Sequence, residues 1–442
     1  MTDLPIYRHA LILSLFLSLT TALANEPDPL TLSEIQAFAV EHAPGLERQR
    51  LGYTNLVAAV EIAKARFDPV VNASREWRES TDTHRTEGSV RQIFPADLDA
   101  RASATLQETP GGEDITTYAL TLSKTLIGGG SLLESRLPVN RARVAEAKEW
   151  NRLSLEQRRL RLTVTRQYFE VVRNQQTLRL RELQLERARL NLEHALVRED
   201  PLDIATARLR IPESELDVLT AQRAIHNGLL ALKAEIGFPL QEPLTLDTEI
   251  PFHLRTIDLE EDLLTALGNH EAILNAQLDI QIAREELRVA RTRRFPEVEA
   301  RLNLQTRDDP SSAERETDTR GEVVMTWPLG QRRDRAEMVR RESDLRSSEI
   351  ALHQAETDRR RDVESLALRV EEAARTVAIQ EERVDVLEQQ LRLFQDRWDN
   401  GEIGILEYIR SQNNLEDARV QYVAQQLRYL ELLAEYDFNV GR

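Results

Sequence analysis

Residues 30–50 read LTLSEIQAFAVEHAPGLERQR, and residues 257–277 read IDLEEDLLTALGNHEAILNAQ. At an offset of 227 (259 less 32), Leu32-Ser33-Glu34 falls on Leu259-Glu260-Glu261 and Leu46 on Ile273. The same offset carries Leu51 to Leu278, Lys64 to Arg291 and Pro69 to Pro296. So AKARFDPVVNA (63–73) and ARTRRFPEVEA (290–300) close the same unit. Fixed spacing over so long a stretch is the mark of internal duplication.

Each copy opens as a helical hairpin: Ser33–Ala43 then Pro44–Arg66, and Glu260–Asn269 then Glu271–Arg294. Ser33 reads as an N-cap. Pro44 falls in a first turn, where its missing N–H leaves no bond unmade. Stretches of period two follow, which is strand patterning. In copy one they are PVVNASREW (69–77) and YALTLSKTL (118–126), and in copy two PEVEARLNLQ (296–305) and GEVVMTW (321–327). Copy one holds further residues here, among them SVRQIF (89–94) and ARASATLQ (100–107), which leave room for another hairpin. Polar turn stretches separate the strands.

Then the chain turns helical at length. Neither Gly nor Pro occurs over 139–199 or 332–399. At 1.5 Å per residue these are helices of ~90 and ~100 Å. Shorter helices follow each, Leu202–Ile236 and Ile405–Asn439, with Pro212 expected to kink or restart the first. Leu155, Leu162, Phe169, Leu183, Leu190 and Val197 form one heptad track, and Val164, Val171, Leu178, Leu185 and Leu192 another. On the second long helix Val363, Val370, Val377, Val384, Leu391 and Trp398 form one track, and Ile379, Val386 and Leu393 lie on another face. Seams on two sides require neighbours on two sides, as in a bundle or a wall of staves. Strand sets too short to fold alone favour closure across several copies.

Composition narrows the function. Lys+Arg number 58 against 75 Asp+Glu, giving a net charge of −17, and only four of the bases are lysine. Such acidity argues against a nucleic-acid partner. No Cys is present, so disulfides, Cys-ligated metals and a catalytic thiol are excluded. Mean hydropathy is −0.46, which excludes a bundle of membrane helices. Arg8 and His9 lead into the apolar run 10–19 and the small residues Ala22 and Ala24, a signal-peptide pattern over 1–24. The domain plan is therefore 1–24 signal peptide, 25–257 first repeat and 258–442 second repeat. Gly128-Gly129-Gly130-Ser131 lacks the Lys of a phosphate loop and reads as a flexible junction. The His residues have no ligand spacing, and no carboxylate pair has an apolar pocket, so no enzyme, metal or cofactor is expected.

The order of elements resembles the TolC-like outer-membrane efflux and secretion channels, the outer membrane efflux protein family. The resemblance rests on the opening at 30–50, AKARFDPVV, LTLSKTLIGGGS (120–131), QYFEVVRNQQTLRL (167–180) and RWDNGEIGILEYIRSQNNLEDARVQY (397–422). It implies a mainly α fold with a small membrane β-barrel portion. The assembly would be a homotrimer with four strands from each chain in a twelve-strand barrel in the outer membrane, and a helical tunnel in the periplasm. It implies an exit duct of a tripartite efflux pump or type I secretion system. The partners would be a periplasmic membrane-fusion adaptor, an inner-membrane pump of RND, ABC or MFS type, and outer-membrane lipid. Trp77, Phe94, Tyr118 and Trp327 would supply aromatic girdles at the membrane interfaces. Asp203, Glu407 and Arg410, beside the helix turns, would ring a periplasmic gate; Glu407 and Arg410 share a helix face. The competing reading is a periplasmic coiled-coil adaptor, which would need a biotinyl/lipoyl-like β-domain.

Overall fold

The computed structural model describes residues 29–78, 83–95, 97–108, 113–128, 131–248, 252–308, 315–327 and 329–442. The expected signal peptide, Gly129 and Gly130 lie outside the described residues. The first hairpin is α1 (Leu32–His42) and α2 (Pro44–Lys64), ending in a 3₁₀ turn at Ala65–Phe67. Four strands follow: β1 (Val70–Arg78), β2 (Thr83–Phe94), β3 (Leu98–Glu108) and β4 (Ile115–Ile127). Next come α3 (Ser131–Arg198) and α4 (Pro201–Ile236). The second copy repeats the plan: α5 (Leu259–Asn269), α6 (Glu271–Thr292), β5 (Glu297–Asp308), β6 (Glu316–Thr326), α7 (Arg332–Asp399) and α8 (Ile405–Val440). The fold is thus mainly α with one small sheet, and it is internally duplicated.

Several local expectations change. The cap of α1 is Thr31, not Ser33: Thr31 N–H donates to the Glu34 carboxylate (2.9 Å), and Glu34 N–H returns to the Thr31 hydroxyl (3.4 Å). This reciprocal pair satisfies two end donors at once, whereas Gln36, three residues after Ser33, gives its amide to the Thr165 hydroxyl (2.7 Å) instead. The long α3 starts at Ser131 and carries Pro138 within it, and α4 is continuous through Pro212, so no new helix starts there. At Gly128 the backbone itself requires glycine. Its φ is +75°, and a Cβ there would lie 2.1 Å from the Pro296 carbonyl oxygen.

The chain divides into two compact units, each drawing on both repeats. One consists of the described residues of Met1–Pro44, Leu160–Leu254 and Glu372–Glu431. Its upper core joins Ile35 and Ala39 of α1, Val164, Tyr168, Val171 and Val172 of α3, and Leu232 and Ile236 of α4. Tyr168 places its hydroxyl on the Asp247 carbonyl (2.7 Å), and burial pushes its pKa up to about 12. Within the same unit the heptad tracks part company. Val164 and Val171 are fully buried, whereas Leu183, Leu190 and Val197 of α3 are exposed. Ile379, Val386 and Leu393 of α7 are also exposed, as are Leu202, Leu209 and Leu216 of α4. One seam is filled from within the chain, and three apolar stripes of heptad spacing remain on the surface.

The other unit consists of Gly45–Arg159, Arg255–Glu371 and Leu432–Arg442. Here the α5–α6 turn is bound to the chain's C-terminal end. His270 caps α6, its Nδ1 accepting from Ala272 N–H (3.2 Å). That assigns the proton to Nε2, which faces the Glu271 carboxylate at 3.2 Å, with Arg359 pressed against the same edge of the ring. Arg158 reaches Glu271 at 2.6 Å, and Arg359 donates to Asn439 Oδ1 at 2.6 Å. Burial holds the His270 pKa down to about 4, and burial also lowers that of Arg359.

Candidate functional site

The sheet belongs wholly to the second unit. Its order is β1-β2-β3-β4-β5-β6, and all five pairings are antiparallel. The extra residues of the first copy are therefore β2 and β3, and they sit between β1 and β4 in the sheet. The resemblance implies four strands from each chain, and the described residues carry six in one sheet.

Directly paired residues in an antiparallel sheet point to the same face. The registers therefore sort every side chain. One row runs Val71↔Val90↔Ala102↔Leu120↔Leu304. The row beside it on the same face runs Ala100↔Leu122↔Leu302. Ala104, Leu106, Tyr118, Ala300, Val323 and Met325 extend this apolar face. On it Val71, Val90, Leu120, Val323 and Met325 are exposed. The opposite face is polar: Ser89↔Ser103↔Ala119↔Gln305↔Asp318, with Arg91↔Arg101↔Thr121↔Asn303↔Arg320 beside it. Ion pairs cross that face, Arg91 to Asp99 and Arg101 to Glu87 (3.1 Å). A sheet apolar on one side and charged on the other, with each strand 9 to 13 residues long, has the dimensions of a barrel wall between lipid and water.

Of the expected girdle residues, Trp77 and Phe94 stand on the apolar face at opposite ends of the strands, and Tyr118 stands within the band. Trp327 follows the last residue of β6 and is exposed.

In the first unit, the turns that follow the two long helices are built differently. Glu199 takes a φ of +58°, and Asp200 caps α4 by accepting from Leu202 N–H (2.9 Å), with Pro201 at the first position. The other turn uses Gly401 at φ +75°, whose flanks close by Glu402 N–H to the Arg397 carbonyl (2.8 Å). An aromatic clamp holds the ends: Trp398 stacks on Tyr408 (centroids 4.8 Å, planes 4° apart), with His194 edge-on at 5.6 Å. Ala195, Ala207, Ile405 and Ile409 fill in around it, so α3, α4, α7 and α8 meet there.

Asp203 lies half-buried in the first turn of α4, where its charge complements the helix dipole. Glu407 and Arg410 are exposed on α8. Further along the helices, ion pairs tie them to one another. The Glu416 side chain is 1% exposed and is held between Arg187 of α3 and Arg419 (3.1 Å), which also grips Glu388 of α7 (2.7 Å). Asn191 donates to Gln412 (2.9 Å), and Arg210 of α4 donates to Asn413 (3.1 Å). This four-helix polar lock went unseen in the sequence. Its signal is the pair Gln184 and Asn191, polar residues seven apart on α3 that are both buried.

Residues 263–435 match the model of the outer membrane efflux protein family. No curated protein matches the chain by sequence. Among solved structures the chain is similar to CusC, a transmembrane channel, with a TM-score of 0.69 and 13% identity over 95% of both chains. It is also similar to the open state of the MtrE outer membrane channel of Neisseria gonorrhoeae (TM-score 0.67, 16% identity, 93% of this chain and 88% of that one). VceC, an outer membrane protein of Vibrio cholerae, gives 0.67 at 15% identity over 93% and 96%. The resemblance read from the sequence therefore stands: the second half carries the family's pattern, and the fold is that of TolC-like channels over nearly the whole chain.

Proposed function

We propose that this chain, with a TolC-like fold and the outer membrane efflux protein pattern across its second half, is one subunit of an outer-membrane exit duct. Its sheet forms part of a barrel in the outer membrane, and its long helices form a tunnel wall in the periplasm. Transport through it is passive. Three copies assemble, and an adaptor with an inner-membrane pump of RND, ABC or MFS type feeds the duct. The system served is a tripartite efflux pump or a type I secretion machine. Residues 25–257 and 258–442 act as the two staves of each subunit, released from a signal peptide at 1–24.

The observation that carries this reading is the sheet, apolar on one face and charged on the other, in a chain whose helices expose apolar heptad stripes. Each asks for partners that one chain lacks: lipid for the sheet face, and further helices for the stripes. In the tunnel, Asp203, Glu407 and Arg410 stand beside the helix turns. Repeated by symmetry they form charged rings, and carboxylate rings at a narrow point favour cations. The coiled-coil adaptor reading lacks support, because the strands form one open antiparallel meander rather than a separate lipoyl-like domain.

The test is fractionation and conductance. Heat-modifiable trimers in outer-membrane fractions that open ion-conducting pores in planar bilayers are expected. A monomer in periplasmic extract would sink the channel reading.

A further inference from the structure

We infer that each subunit puts all six of its strands into the membrane wall, so that β2–β3 face lipid as β4 and β5 do, and that β1 of one copy pairs with β6 of the next. The inference rests on the outer-membrane reading above and goes beyond it in fixing the barrel.

Three observations carry it. First, β2 and β3 keep the same two faces as their neighbours. Gly88, Val90, Ala100, Ala102, Ala104 and Leu106 lie on the apolar side, interrupted by Thr86 and Gln92, and Glu87, Ser89, Arg91, Arg101, Ser103 and Thr105 lie on the charged side. A hairpin standing above the membrane in water has no need of such sorting, and its apolar row would be exposed to solvent. Second, the band is tall enough. Leu98 to Leu106 along β3 spans ~26 Å, or ~20 Å of membrane thickness at a tilt near 40°, close to the apolar height of such barrels. Third, both sheet edges are open to a copy. Six antiparallel strands begin and end on the same side, so β1 and β6 run in opposite directions and pair antiparallel under cyclic symmetry.

Closing the edges this way also removes the exposed ladder that would otherwise invite aggregation. With the three copies of the proposed duct, three times six gives eighteen strands. Strand spacing and tilt then set a backbone diameter of ~36 Å, against ~24 Å for twelve strands. The barrel lumen is correspondingly wide, lined by the Arg and acidic side chains of the polar face.

The natural absence of cysteine makes the test clean. Single cysteines are placed in the full chain at Ala102→Cys and Ala104→Cys, and at Ser103→Cys and Thr105→Cys. Membranes carrying the trimer are then treated with a charged, water-soluble maleimide. Strong labelling is expected at 103 and 105, with at least tenfold slower labelling at 102 and 104. A fluorophore attached at 102 or 104 should be quenched by brominated lipid. Leu120→Cys and Leu302→Cys on β4 and β5 serve as references. If these are protected while all four β3 positions label alike, the hairpin lies outside the wall and the inference fails, though the duct reading survives. If the references label freely too, the duct reading itself fails. A barrel measured near ~24 Å in projection images would also overturn the inference.

Discussion

The Tyr436 hydroxyl donates to Asp262 Oδ2 at 2.7 Å, in a place where both residues are buried. Asp262 belongs to α5 and Tyr436 to the last turns of α8, and Arg442 closes on the other carboxylate oxygen at 2.5 Å. Burial, first, and the bond to Asp262 push the tyrosine pKa well above its ordinary value, so the phenol stays a donor across the physiological range. Tyr436→Phe leaves a buried carboxylate short of one donor, which costs about 1–3 kcal/mol. The expected result is a lower thermal midpoint, read by circular dichroism on the detergent-solubilised protein. An unchanged midpoint would show that water or Arg442 replaces the lost bond.

His270 gives stability a dependence on pH. Its pKa is held down to about 4, chiefly by burial, with Arg359 and Arg158 lowering it and Glu271 and Asp362 opposing them. In the unfolded chain the imidazole titrates near its ordinary value of 6.5. Between those values the unfolded state binds a proton that the folded state refuses. Stability therefore falls as pH drops from about 6.5 towards 4, and it is fully retained above 6.5. His270→Asn keeps a capping side chain and removes the titration. Denaturant midpoints measured across this window should slope less in the variant. An equal slope in both proteins would place the dependence elsewhere.

The Glu416 lock predicts a leak. Glu416→Ala leaves Arg187 and Arg419 facing each other across the α3–α8 contact without their carboxylate. Breaking a buried pair from one side costs roughly 3 kcal/mol, and Glu416→Gln should cost less because it keeps the shape. The local loosening should appear as higher or noisier single-channel conductance in Glu416→Ala than in Glu416→Gln. Identical traces for both and for wild type would confine the lock to a structural role.

How much of this was legible in the sequence depends on what each residue needs. The order of elements was readable because period and punctuation are local: the Pro44 helix start, the Glu271 helix start and the long Gly-free runs all match the structure. The cap at Thr31 was missed because Ser33 is the same chemistry two residues on, and only the reciprocal bond to Glu34 separates them. Strands β2 and β3 were left undecided because alternation in GSVRQIF is broken by Gly88 and Gln92, and becomes plain only when registered against Ala100 to Ala104. Polar contacts such as Arg187 to Glu416 join residues 229 apart in sequence, which no periodicity reports.

The residues proposed for the gate give a conductance prediction. Asp203→Ala and Glu407→Ala each remove one carboxylate per copy beside the helix turns, and with it part of the attraction for cations. Cation preference should fall in both variants, more at low salt, where a charge reaches about 30 Å, than at high salt. Arg410→Ala should shift the preference the other way. Wild-type ion selectivity in all three would reduce these residues to solvated helix ends.

Two glycines with the same backbone angle separate conformational strain from lack of space. Gly128 and Gly401 both have φ +75°. Around Gly401 an added methyl group meets nothing within 4 Å. Gly401→Ala therefore pays only for the left-handed conformation, about 1–2 kcal/mol. At Gly128 the methyl would lie 2.1 Å from the Pro296 carbonyl oxygen and 2.6 Å from its carbon, both backbone atoms that cannot swing aside. Gly128→Ala must therefore push apart the end of β4 and the start of β5, where the register already shifts between Thr125 and Ile127. It should give little or no heat-modifiable trimer in the membrane fraction, while Gly401→Ala assembles with a lowered melting temperature. Equal yields from the two variants would mean that the β4–β5 junction relaxes around the methyl, and that the close approach to Pro296 is not what requires glycine there.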